Sequence, residues 1–165
     1  MLNITKRINA AGKIDDYIEL PFVLRQKSRL RVRTKAGIDA ALFLDRGVIL
    51  RGGDLLKSDG GLVLQIIAAQ EPVYDVVAST PQALMCAAYH LGNRHVPLQV
   101  GEGFLRLEQD HVLREMLLGL GMQITEIEAP FEPEAGAYGG GHRHGHDDDH
   151  HGVVNLRQPA RLKHG

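Results

Sequence analysis

The hydrophobic repeat of this chain changes period once, near residue 79, and that change limits the folds open to it. Before it, apolar residues come in short runs: LNITKRI (2–8), YIELPFVL (17–24), RLRVRT (29–34), ALFL (41–44), GVIL (47–50), DLLK (54–57) and LVLQII (62–67). Such runs, separated by turn formers, are strand signals. Leu30, Val32 and Thr34 alternate with Arg29, Arg31 and Arg33, the two-residue period of a half-buried strand. Outward charges of this kind protect a sheet edge from pairing with other chains. Asp59 and Gly60, between two of the runs, signal a tight hairpin. Many short strands at close spacing predict a small all-β sandwich or barrel.

After the change the pattern is mixed. A strand is expected at 73–78. Thr80 and Pro81 then supply a helix N-cap and a first-turn proline. Leu84, Ala87, Ala88 and Leu91 follow at helical spacing, and Gly92 is expected to close the helix. Two short strands, at 97–100 and 104–107, flank Gly101 and Gly103. Asp110 can cap a second helix with an apolar face of Val112, Leu113, Met116, Leu117 and Leu120, ended by Gly121. A last strand is expected at 122–127. The order β-α-β-β-α-β is the split βαβ of a ferredoxin-like domain. Beyond Ala129 the sequence is rich in Pro, Gly, His and Asp, with too few apolar residues to offset the entropy of ordering, so disorder is expected there. The predicted class is α+β, with a β-rich domain at 1–71, a ferredoxin-like domain at 72–134 and a disordered His/Asp-rich tail at 135–165.

Charge follows the same partition. Residues 1–70 carry 12 Lys and Arg against 7 Asp and Glu, residues 71–141 carry 3 against 10, and residues 142–165 carry 4 against 3. The total, 19 against 20, leaves a formal net charge of −1. A near-neutral chain does not bind nucleic acid through bulk positive charge. The single cysteine, Cys86, cannot close an internal disulfide, and its place beside the first helix's apolar stripe predicts a packed small hydrophobe. No apolar run approaches the roughly 20 residues that span a bilayer. The first residues, MLNITKRINAAGK, lack the apolar core of a secretory signal. A cytoplasmic protein with no membrane partner is expected.

Histidine carries the chemistry. None of the nine lies before residue 90, and five, His142, His144, His146, His150 and His151, crowd around Asp147, Asp148 and Asp149. Imidazole nitrogen suits nickel, copper and zinc, and the carboxylates draw cations in. Binding competes with protonation of the imidazoles, so it should weaken in acid. His95 falls in the loop after the first helix, where one imidazole becomes a site only if a two-fold axis presents a second copy. His111 begins the second helix and is a weaker ligand candidate; His90 reads as structural. No phosphate-binding glycine loop and no His-Glu-x-x-His helix occurs, so an enzyme is not expected.

These residues together resemble the urease accessory protein E family of nickel metallochaperones. The resemblance rests on Gly92, Asn93, Arg94, His95, Val96, Pro97, Leu98 and Gln99, on Asp110, His111, Val112, Leu113, Arg114, Glu115, Met116 and Leu117, and on the His-rich tail. It extends over essentially the whole chain, although the first segment matches in order and size more than in motif. It implies an N-terminal β domain similar to the peptide-binding domain of Hsp40 co-chaperones and a metal-binding ferredoxin-like domain. It further implies a homodimer in which His95 meets its twin and the pair holds Ni2+, with tail histidines adding ligands. The partners it implies are the urease apoprotein and an accessory GTPase complex. Some members carry a His-x-His pair at the second helix; here the two positions are Gln109 and His111, which puts that peripheral site in doubt. The alternatives are a general His-rich buffer for zinc, copper or nickel, and a co-chaperone-like interaction module.

Overall fold

The structure, a computed structural model, describes residues 1–136. The first half is built from β1 (Leu2–Ile8), β2 (Asp16–Leu20), a single-turn helix α1 (Phe22–Arg25), β3 (Arg29–Arg33), β4 (Asp39–Phe43), β5 (Leu55–Ser58) and β6 (Val63–Ala68). The six strands form one sheet in the order β2-β6-β5-β1-β4-β3, mixed in direction: β1 runs parallel to β4 and antiparallel to β5. Ile4, Ile18, Leu42, Leu50, Leu56, Leu64 and Ile66 fill its core and are almost fully removed from water. β3 is an edge strand, and Arg29, Arg31 and Arg33 on it are exposed, as the alternation predicted. The hairpin between β5 and β6 turns through Gly61, with Ser58 N–H bonded to Leu62 O at 3.0 Å.

One expected strand is cut short in this half and another is absent. The run YIELPFVL is broken at Pro21, which cannot donate to a ladder and instead starts α1. The run GVIL forms no strand. Leu50 enters the core from a loop, and its N–H bonds to Arg25 O at 2.9 Å rather than to a neighbouring strand.

The second half contains β7 (Gln70–Val77), α2 (Pro81–Asn93), β8 (Gln99–Val100), β9 (Leu105–Glu108), α3 (His111–Gly119) and β10 (Gln123–Pro130). Its sheet runs β10-β7-β9-β8 and is antiparallel throughout. Tyr74, Val76, Leu105 and Leu107 on the strands pack with Ala87 and Leu91 of α2 and Leu117 of α3. Asp75 and Arg106 face each other across β7 and β9 in a two-pronged ion pair at 2.6 and 2.9 Å. Between β8 and β9, a Cβ on Gly101 would sit 2.1 Å from the Phe104 ring, so the close turn requires glycine there. No helix among the described residues is long and apolar enough to cross a membrane.

Residues 131–134 depart from the expectation of disorder beyond Ala129. Phe131 is fully buried and meets Phe22 edge-on at 5.4 Å between ring centres, with Val73 and Ala129 beside them. Fully buried Arg25 joins the two halves: it donates to Leu20 O and Leu50 O on one side, and to Phe131 O and the Glu132 carboxylate on the other. Glu132 also accepts from Arg51 at 3.2 Å and from Gly52 N–H at 2.8 Å. Specific pairing of a few groups orders this segment where apolar content alone would not. The remainder of the expected tail, from residue 137, lies outside the described residues.

Candidate metal site

Helix α2 delivers His95 to its position. Thr80 caps its start, accepting from Ala83 N–H at 3.2 Å, and Pro81 occupies the first turn, as the sequence predicted. Ala87 and Leu91 pin one face to the sheet. The end differs from expectation. Gly92 remains helical, Arg94 is the C-cap, and His95 takes the left-handed conformation at φ +56°. His95 N–H bonds to Gly92 O at 2.9 Å and Val96 N–H to Leu91 O at 3.3 Å, the paired bonds of a Schellman motif. Val96 packs against the cluster that contains Leu91, so apolar contact fixes where the motif closes.

Helix α3 ends in the same way and supplies an internal comparison. Gly121 N–H bonds to Leu118 O and Met122 N–H to Leu117 O, both at 3.0 Å, with Gly121 at φ +79°. At the equivalent position one helix carries glycine, the residue that adopts this conformation freely, and the other carries histidine. Among the described residues His95 is the only non-glycine residue with positive φ.

His95 is exposed and borders an open recess of about 320 Å³, shared with Glu108, Gln109 and Asp110. Two carboxylates beside one imidazole favour a cation, although Asp110 also accepts from Leu113 N–H at 2.8 Å as the cap of α3. Among the described residues, no three His, Cys, Asp or Glu side chains come together as a metal site.

The other candidates divide clearly. His111 is exposed as the first residue of α3 and does not line the recess around His95. Gln109, two residues earlier, donates its amide to Val73 O at 3.3 Å and so serves the fold. His90 stacks edge-on against Tyr89 at 5.5 Å. Cys86, expected to be packed, is exposed on α2 because the buried face runs through Ala87 and Leu91. His142, His144, His146, His150 and His151 lie outside the described residues. The sequence reading missed the anchoring group of Arg25, Phe131 and Glu132. The signal available was one aromatic residue, Phe131, between two prolines in an otherwise polar stretch.

Residues 3–69 match the model of the UreE urease accessory protein N-terminal domain, and residues 71–162 match that of its C-terminal domain. The chain is 50% identical over 163 residues to the urease accessory protein UreE of Janthinobacterium sp., covering 99% of this chain and 95% of that one. It is 49% identical over 152 residues to the protein of the same name from Nitrosospira multiformis, covering 92% and 86% of the two chains. With that of Cupriavidus necator it shares 59% identity over 128 residues, 78% of this chain and 67% of the relative. Both family models match, and together they span most of the sequence: the chain belongs to the urease accessory protein UreE family.

Proposed function

We propose that this accessory protein, which is not an enzyme, carries Ni2+ to the urease metallocentre as a homodimer in which His95 of each copy meets its twin across a two-fold axis. One observation carries the assignment to His95: a histidine is held in a backbone conformation that glycine would occupy without strain, at an exposed helix end. Strain retained against an easy remedy marks functional positions. One imidazole binds nickel weakly, and a two-fold axis doubles it. Met85, Tyr89 and Val100, exposed by 65%, 66% and 55%, offer apolar surface on the same domain for such a contact.

The remaining ligands in this reading are His142, His144, His146, His150 and His151, with His111 as a weaker, separate site. A shell completed by exchangeable ligands permits capture and release, because an acceptor can replace them one at a time; a closed structural site would retain the ion. Zn2+ and Cu2+ compete in vitro, since copper outranks nickel at most nitrogen sites. The element order and the 4-1-3-2 strand order within the second sheet support a ferredoxin-like metal-binding domain over 72–134, behind a β-rich, peptide-binding-like domain over 1–71. The receiving partners are the urease apoprotein and its accessory GTPase complex, and delivery takes place in the cytoplasm.

Nickel calorimetry on the parent chain, on His95→Ala and on a chain ending at Gly136 tests the reading. His95→Ala should lose the tightest site and keep weaker binding, whereas the shortened chain should lose capacity and keep the His95 site. Tight binding undiminished in His95→Ala would refute the interfacial assignment. Loss of all binding in the shortened chain would favour a general metal buffer.

A further inference from the structure

We propose that the open edge of β3 receives an extended acidic segment of a partner protein as an added strand, in which carboxylates alternate with apolar residues. The inference rests on the peptide-binding-like reading of the first domain and not on nickel. β3 is the last strand of its sheet and pairs only with β4. At the two ends of this ladder, Leu44 N–H bonds to Ser28 O and Thr34 N–H to Ile38 O, at 2.8 and 2.9 Å. Bonded pairs alternate along an antiparallel ladder, so Leu30 and Val32 turn their backbone groups to β4. Arg29, Arg31 and Arg33 therefore turn theirs to the open side. Among the described residues the other edge strand, β2, makes one backbone bond to this segment. It lies past the end of β3, where Lys35 N–H meets Tyr17 O at 2.9 Å.

Charge selects the occupant. All three arginine side chains are exposed. Arg33 donates to Gly37 O at 3.0 Å and faces Asp39 at 3.8 Å, whereas Arg29 stacks on the Phe43 ring at 5.7 Å. Among the described residues neither Arg29 nor Arg31 forms an ion pair. Beside them opens a recess of about 320 Å³, lined by Met1, Arg29, Arg31, Ala41 and Phe43. Further across the sheet, Lys6 of β1 and Lys57 of β5 stand opposite each other, both exposed, and continue the positive charge.

An added strand places alternate side chains on the two faces. On the arginine face its carboxylates pair with Arg29 and Arg31. On the other face its apolar residues extend the core past half-buried Leu30 and Val32. The arginines also turn away a second copy of the same edge, like charge against like, so this edge rejects itself and accepts an acidic strand. A nucleic acid matches the charge but has no peptide ladder to offer the outward backbone groups.

Peptides of about eight residues, alternating valine with glutamate, glutamine or lysine, test the proposal by fluorescence anisotropy on the full chain with chelator present. The glutamate peptide should bind tightest and weaken as salt rises. Arg29→Glu with Arg31→Glu should weaken it about tenfold or more and make the lysine peptide the better ligand, which also shows that the variant is folded. Methylating one alternate set of amides in the glutamate peptide should abolish binding, whereas methylating the other set should be tolerated. Equal binding of the glutamate peptide to parent and double variant overturns the β3 site and leaves a peptide-binding domain standing. Equal loss from both methylated sets overturns strand addition. Tighter binding of oligothymidylate than of the glutamate peptide assigns the arginines to nucleic acid and overturns the proposal. If none of the three peptides binds, the proposal falls together with the reading it rests on.

Discussion

Replacing His95 by glycine should make the metal-free protein more stable while removing its proposed metal ligand. An L-residue in the left-handed region costs about 1–2 kcal/mol. Histidine visits that region more readily than most residues, which places it toward the lower figure. Glycine in the same position carries a larger loss of backbone entropy, about 0.5–1 kcal/mol. The difference leaves His95→Gly ahead of His95→Ala by about 0.5–1 kcal/mol, since alanine retains the strain. For a chain of 165 residues this is about 1–4 °C in Tm. Gly121 supplies the reverse experiment, because no atom lies within 4 Å of a Cβ built there, so Gly121→Ala isolates the backbone term. That variant should lose about the amount that His95→Gly gains over His95→Ala. Thermal and urea unfolding with chelator present would measure both. If His95→Ala proves as stable as His95→Gly while Gly121→Ala is destabilised, His95 is not strained and the assignment based on strain falls.

Two further outcomes follow from the contact between the halves. Arg25→Ala leaves the carbonyls of Leu50 and Phe131 without their guanidinium donor, takes one of two donors from Leu20 O, which keeps Ala69 N–H, and removes one of the cations of Glu132, so urea unfolding should show a loss of about 3–5 kcal/mol. A loss below 1 kcal/mol would mean that solvent replaces the guanidinium. Burial raises the carboxyl of Glu71 above its ordinary 4.5, against the opposing hydrogen bond from Phe22 N–H and the attraction of Arg25. A raised folded-state pKa stabilises the protein below the unfolded value, and this contribution is lost as pH rises through the folded one. Relative to the parent, Glu71→Gln should therefore gain stability as pH rises above the ordinary 4.5; a pH-independent difference would refute the cause given.

Where the sequence was informative, the reason was local. Thr80 and Asp110 cap their helices because a side-chain oxygen and an N–H three residues on need no tertiary context. The alternating arginines of β3 carry their edge position in their own pattern. The end of α2 was misread because Gly92 has the better local propensity, while Val96 packing against the α2 cluster moves the cap three residues on. Arg25 and Glu132 are 107 residues apart, and neither has a neighbour that announces the pairing. The exposed position of His95 was legible, but its backbone strain was not.

The position of Arg25 also bears on the order in which the protein can form as it is synthesised. A nascent chain that has emerged only to residue 69 holds the whole first sheet, together with Leu20 O and Leu50 O, but neither acidic partner of Arg25. Glu71 follows almost at once, whereas Phe131 and Glu132 arrive only when the last strand is complete. Until then a buried guanidinium would be under-compensated, so the turn around α1 favours keeping Arg25 in water. A chain truncated before residue 131 lacks the Phe131 and Glu132 partners of Arg25, and its guanidinium is expected to stay hydrated at the joint.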